Sequence, residues 1–286
     1  MHNQDVELES LDRGAAVAPE VPASTVILLR DATAVGSAPE VMLLRRHTRS
    51  HAFAGAYVFP GGKVEAADRR LDPNYWRATD LPQRAQQMGV DDVADALGFL
   101  VAAARETFEE AGVLLATRSD GGPLRPAELR SESFLSARQR LASRTDDWHW
   151  NEWLQDERLV LDLDALLFWA WWVTPVHLPY RFDTRFFLAV LPESQAVTHD
   201  GVETTEMHWL SAARALEAHT RGEVDLRNAT KRNLEALVRF RTVEEAQAAI
   251  QRGDIDRRRT QPEVVREDGE LRVVHRVGGP PQTQMP

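Results

Sequence analysis

The chain contains no cysteine. That absence removes a disulfide framework, thiolate zinc, iron–sulfur ligation and a cysteine nucleophile, and it fits a reducing compartment. Basic charge is also in short supply: 34 Lys and Arg stand against 44 Asp and Glu, a formal net charge of −10. A chain this acidic lacks the basic surface that displaces phosphate counterions, so general nucleic-acid binding is not expected. A small anionic substrate stays accessible if a cation mediates. Long apolar runs are missing too, and the longest (LLFWAWWVT, residues 166–174) is about half of what a membrane helix needs. The first 22 residues are acidic and do not have the basic-then-apolar layout of a signal peptide, so no membrane attachment is expected. No internal repeat is evident, and the nine histidines show no metal-ligand spacing.

What is present is an ordinary globular composition, 43% hydrophobic and 27% charged over 286 residues, long enough for one large or two small domains. Residues 1–22 read as a flexible tail. Thr25–Arg30 (TVILLR) and Val41–Arg45 (VMLLR) read as neighbouring strands or a hairpin, and Tyr57–Phe59 as a short strand ending at a Pro60-Gly61-Gly62 turn. Asp91 or Asp92 can cap a helix that runs to about Ala111, with Gly112 placed to stop it. LLFWAWWVT reads as a buried strand and as core rather than a base-stacking platform, followed by strands at Arg181–Leu191 and Glu206–Leu210. Ser211, Thr230 and Thr242 each precede a helical pattern, with Glu245 completing a capping box after Thr242. A hairpin is expected around Asp268-Gly269. Interleaved strands and helices indicate an α/β or α+β sandwich.

The most informative segment is LGFLVAAARETFEEAG, residues 97–112. Leu97, Val101, Ala104, Phe108 and Ala111 share one helical face, and Glu106, Glu109 and Glu110 lie opposite at i, i+3 and i+4. Like charges at those spacings repel by a few tenths of a kcal/mol per pair. Two readings stand: a solvated acidic face, or a set of hard oxygen ligands whose repulsion a divalent cation offsets. Upstream, Gly61-Gly62 lets the backbone approach a ligand closely, and Glu65 and Asp68 follow at once.

Arg105-Glu106-Thr107-Phe108-Glu109-Glu110-Ala111-Gly112-Val113 resembles the second half of the Nudix hydrolase box, G-x5-E-x7-R-E-U-x-E-E-x-G-U, and Phe59-Pro60-Gly61-Gly62 resembles the strand and loop that open it. Thr107 stands where the box has an apolar residue, and Asp68 where it has its first glutamate. Asp68 and Arg105 are separated by 36 residues, an insertion of 29, spanning about residues 69–97. Such an insertion, with RSHAFAGAYVFPGGKVEAAD and VTPVHLPYRFDTRFFLAVLP on its flanks, resembles the Nudix branch that includes the animal coenzyme A diphosphatase.

The resemblance implies an α/β fold, a Nudix-type α/β/α sandwich with a mixed central sheet and extra helices. The Nudix domain would span residues 23–242 and a helix and hairpin-like extension 243–286. It implies Mg2+ or Mn2+ as cofactor, held by Glu106, Glu110 and Glu109 with the Gly62 carbonyl. Arg105 and Asp68 would orient a carboxylate, and an acid from a later loop, Glu203 ahead of Glu206, would join the catalytic set. Arg46, Arg49, Gly61 and Gly62 are the substrate-binding candidates, and Arg45, Arg46, Arg49 and His51 could meet an extra phosphate. The partner is then a small nucleotide; a homodimer is left open.

The expected reaction is hydrolysis of a pyrophosphate linkage, foremost in coenzyme A or acyl-coenzyme A, giving 3′,5′-ADP and (acyl-)4′-phosphopantetheine. The alternatives are NADH, ADP-ribose, a nucleotide sugar or a dinucleoside polyphosphate as substrate, or a non-catalytic nucleotide sensor. The animal enzymes carry a C-terminal peroxisomal address that Gln284-Met285-Pro286 does not spell, so a cytoplasmic location is expected.

Overall fold

The computed structural model describes residues 17–32, 36–47, 55–143, 148–198, 204–267 and 270–278. Its first half runs β1 (Glu20–Arg30), β2 (Glu40–Arg46), β3 (Tyr57–Val58), β4 (Gly61–Lys63), β5 (Trp76–Arg77), α1 (Leu81–Met88), α2 (Val93–Ala111) and β6 (Ala116–Arg118). Then follow α3 (Pro126–Leu129), α4 (Glu132–Ser143), α5 (Trp150–Asp156), β7 (Leu159–Asp162), β8 (Leu167–Val173) and β9 (Arg181–Val190). The chain closes with β10 (Thr204–Ser211), α6 (Ala212–Thr220), α7 (Asn228–Leu237), α8 (Val243–Gln251), β11 (Arg259–Glu267) and β12 (Glu270–Val277).

The central sheet has the order β10-β2-β1-β9-β8-β11-β12, with β3 beside β2 and β4 beside β1. It is mixed: β1 runs parallel to β9 and β11 to β8, and the other pairs are antiparallel. Along β1, Val26 and Leu28 enter one core with α2, while Ile27 and Leu29 enter the other with α6, α7 and α8. Met42 and Leu44 against Val41 and Leu43 do the same on β2. Both faces are covered, so these strands read as unbroken apolar runs rather than alternating ones. On β8 a register shift between Phe168 and Ala170 sends Trp169 and Ala170 to the same core, where Trp169 is 1% exposed. The architecture is the α/β/α sandwich that the resemblance implies.

The structure corrects three local expectations. β1 begins at Glu20, inside the expected tail, because its first residues pair with β9 from Glu20↔Arg181 onward; an apolar-run criterion passes over Glu-Val-Pro. Gly61-Gly62 is not the turn itself: the bend falls at Pro60, and Gly61–Lys63 runs extended against Ala23–Thr25. Thr230 lies within α7, which starts after Arg227. The helix α2 runs as the sequence predicts, from Val93 to Ala111, capped by the Asp92 carboxylate on the Ala94 N–H and stopped by Gly112 at φ +68°.

The insertion is woven into the fold. β5 pairs parallel with β7, which also pairs with β6, forming a second sheet of three strands. Arg84 of α1 donates to the carbonyls of Leu163 and Leu166, and Arg77 pairs with Asp162 at 2.8 Å. The turn connecting β11 and β12 lies outside the described residues.

Candidate functional site

The C-terminal half of α2 is buried on its acidic side as fully as on its apolar side. Glu106, Glu109 and Glu110 are 8%, 4% and 1% exposed, which rules out a solvated acidic face. Their surroundings follow from the glycines. A Cβ at Gly61 would lie under 3.0 Å from the Ser24 carbonyl and Thr25, and a Cβ at Gly62 under 3.0 Å from all three Glu106 carboxyl atoms. Only a bare backbone lets β4 fit between β1 and α2. The Gly61 N–H donates to Glu110 Oε2 at 3.0 Å.

Arg105, 4% exposed, organises the acids. Its Nε and Nη2 donate to the two Asp68 oxygens at 3.0 Å each, a bidentate pair across 37 residues. Nη1 donates to Glu106 Oε1 at 2.8 Å and lies 3.8 Å from Glu109 Oε2; Nη2 also reaches the Lys63 carbonyl at 2.9 Å. Burial pulls the guanidinium pKa down, but the charges of Glu106 and Asp68 overcome it and hold Arg105 well above its ordinary value. Asp68 in turn accepts from the Glu65 N–H at 2.8 Å, while the Glu65 side chain is exposed. Thr107, fully buried, satisfies its hydroxyl on the Ala103 carbonyl at 2.7 Å and so is tolerated where an apolar residue would sit.

Three carboxylates, Asp68, Glu106 and Glu109, share the Arg105 guanidinium, and Glu110 is held by the Gly61 N–H. The donor set is hard oxygen, and the missing Cβ at Gly62 leaves room for a carboxylate directly against the backbone, so the residues fit a divalent cation. Among the described residues no three acidic or imidazole groups converge to enclose an ion by themselves. Magnesium is ordinarily held by one or two carboxylates with water and substrate phosphates completing the shell.

Other expected residues lie elsewhere. Glu206 is engaged by Arg45 (2.6 Å) and Tyr57 (3.0 Å), and its hydrogen bonds from Arg45, Tyr57 and His208, none of them on α2, lower its pKa. Arg46 ends β2, whereas Arg49, His51 and Glu203 fall outside the described residues.

Sequence reasoning missed the groups around the end of α2. Arg138 of α4 donates to the Glu109 carbonyl at 2.8 Å and the Glu110 carbonyl at 2.9 Å, and the Gln195 amide spans both backbone groups of Leu114. Neither lies in a motif, and no local pattern announces a contact made 28 residues or more away.

A mixed sheet between helical layers, with this arginine–carboxylate helix against a glycine strand, defines a Nudix domain. The family profile of the NUDT19 Nudix domain matches residues 69–230, more than half of the chain, and the chain belongs to that family. It is 30% identical over 217 residues to the acyl-coenzyme A diphosphatase NUDT19 of Xenopus laevis, covering 62% of this chain and 54% of that protein. With the Homo sapiens protein of the same name it is 31% identical over 217 residues, covering 64% of this chain and 56% of that protein. The chain thus spans a little over half the length of these curated relatives. Among solved structures, a NUDIX hydrolase from Alicyclobacillus acidocaldarius superposes with a TM-score of 0.65 at 28% identity, covering 82% of this chain and 97% of that one. Among the described residues no helix is long and apolar enough to cross a membrane.

Proposed function

We propose that this protein is a metal-dependent Nudix hydrolase that cleaves the pyrophosphate linkage of coenzyme A or acyl-coenzyme A, giving 3′,5′-ADP and (acyl-)4′-phosphopantetheine. The observation that carries the reading is the buried acid set on α2, laid against Gly61-Gly62 in a chain of this family. Its similarity to two acyl-coenzyme A diphosphatases supports the substrate.

A divalent cation, Mg2+ or Mn2+, would neutralise the pyrophosphate oxygens and lower the pKa of an attacking water. Glu106, Glu109 and Glu110, with the Gly62 carbonyl, are the groups assigned to hold it. Arg105 fixes the Glu106 carboxylate through its Nη1 bond, and Asp68 fixes Arg105 by the bidentate pair. The Gly61 N–H holds one Glu110 oxygen and so ties this carboxylate to β4. Arg46 and Arg49 are assigned to substrate phosphate, and Glu203 to the proton of the attacking water. Glu206, already bonded to Arg45 and Tyr57, is a poorer choice for that proton.

The test is a product assay with Mg2+ or Mn2+ against coenzyme A, 3′-dephospho-coenzyme A, NADH, ADP-ribose and diadenosine polyphosphates. Coenzyme A should give 3′,5′-ADP, and chelation should abolish turnover. Preference for another substrate would reassign the specificity. No turnover of any of them at micromolar enzyme would sink the enzyme reading and favour a nucleotide sensor.

A further inference from the structure

The last turn of α2 presents an electrostatic problem that its own sequence does not solve. Glu109 and Glu110 lie at the negative end of the helix dipole, and the last turn carries no basic residue. The C-terminal carbonyls there need donors from outside the helix. Arg138 supplies them from α4: Nε to Glu109 O at 2.8 Å and Nη2 to Glu110 O at 2.9 Å. The same guanidinium donates to the Thr198 carbonyl and, through Nη1 at 2.6 Å, to its hydroxyl. The Thr198 N–H closes the ring on the Ala111 carbonyl at 3.0 Å, and the Gln195 amide clips Leu114 on both sides at 2.9 and 2.8 Å. A Cβ at Gly112 would lie 2.8 Å from Thr198 Oγ1 and 3.0 Å from Arg138 Nη1, so a glycine stop is needed for the guanidinium to come this close.

The geometry points to Arg138 as a positioning residue. By gripping the carbonyls of the two residues whose carboxylates are assigned to the metal, it sets the depth and rotation of Glu109 and Glu110 against β4, and it places a positive charge at the helix end that carries them. The inference rests on the metal-site assignment made under the proposed function. Arg138 meets Glu109 and Glu110 at their carbonyls, so its effect on their carboxylates passes through the backbone.

The experiment compares full-length wild type with Arg138→Ala, Arg138→Lys and, as a control on the same helix, Leu135→Ala, whose side chain is 55% exposed. Mn2+ binding by electron paramagnetic resonance is read beside hydrogen exchange at the Leu114 and Thr198 amides. Arg138→Ala should weaken Mn2+ binding about tenfold, as loss of a group that orients ligands typically does, and should speed exchange at both amides. Arg138→Lys, which keeps the charge but not the fork, should be intermediate and also serves if the alanine variant fails to fold. Leu135→Ala should match wild type. Mn2+ affinity in Arg138→Ala and Arg138→Lys within twofold of wild type would overturn the proposal, as would wild type that binds no Mn2+. Weakened Mn2+ binding alongside a wild type that hydrolyses no nucleotide would leave Arg138 in place and remove the hydrolase reading.

Discussion

Arg105 and Arg185 are buried to similar extents, 4% and 2% exposed, both beneath the central sheet on the α2 side, yet they live in opposite environments. Arg185 on β9 has one acid, Asp183, at 2.7 Å, a carbonyl, Met88 O, at 2.8 Å, and two rings, with Trp171 3.8 Å and Phe99 4.6 Å from its guanidinium carbon. Trp171 also donates to Asp183, so the group closes on itself. Burial lowers the Arg185 pKa and Asp183 only partly restores it, whereas burial of Arg105 is overridden by Glu106 and Asp68. One acid per arginine, lined with aromatics, is a staple that ties α1 to the sheet. Three acids around one arginine, with Glu110 following Glu109 on the same helix, is a place where negative charge is gathered. Buried charge alone does not mark a site; its stoichiometry does.

Isosteric neutralisation separates the two most sharply. Glu110→Gln should lower turnover of coenzyme A by about two to three decades, while Arg185→Met should leave turnover per folded molecule within about threefold. Similar losses in both would erase the distinction. Arg105→Leu should cost about 3–5 kcal/mol in denaturant unfolding, because Asp68 and Glu106 stay buried without their arginine. Arg185→Met should cost less, about 1–3 kcal/mol, since the Asp183 side chain is 20% exposed. Adding Asp183→Asn should recover part of that cost, as replacing both members of a buried pair often does; no recovery would mean the staple acts through Trp171 and Phe99 instead.

The smallest effect belongs to a surface pair. The Arg125 N–H, then the Arg125 and Arg118 guanidiniums, hold Glu128 at about 2. A depressed carboxyl stabilises the fold above its ordinary value of 4.5 and loses that contribution as pH falls toward 2. Glu128→Gln should flatten that acid limb of the melting temperature, and an unchanged limb would contradict the assignment.

Local chemistry made α2 readable: an aspartate cap, a 3.6-residue apolar period and a terminal glycine all agree. The doubly covered strands β1 and β2 were readable for a related reason, since an unbroken apolar run has few other uses. β4 was not, because a strand of Gly-Gly-Lys owes its extension to β1 and to the Glu106 carboxylate rather than to propensity. The course of the insertion was hidden in the same way. Its anchors, Arg84 to the Leu163 and Leu166 carbonyls and Arg77 to Asp162, are nonlocal and involve backbone groups that no residue pattern advertises. Burial of the acids was equally out of reach, as helical periodicity places them opposite the apolar stripe without saying that a second layer covers them.

Thermal unfolding of wild type and Glu110→Gln, each with and without Mn2+, tests most directly whether the acids of α2 are gathered for a cation. Ligand at 100 times its dissociation constant stabilises the folded state by about 2.7 kcal/mol. Wild type should therefore melt several degrees higher with Mn2+, and Glu110→Gln, relieved of one like charge, should melt no lower than wild type in metal-free buffer and respond little to the ion. Equal Mn2+ shifts in the two proteins, or none in wild type, would contradict the account.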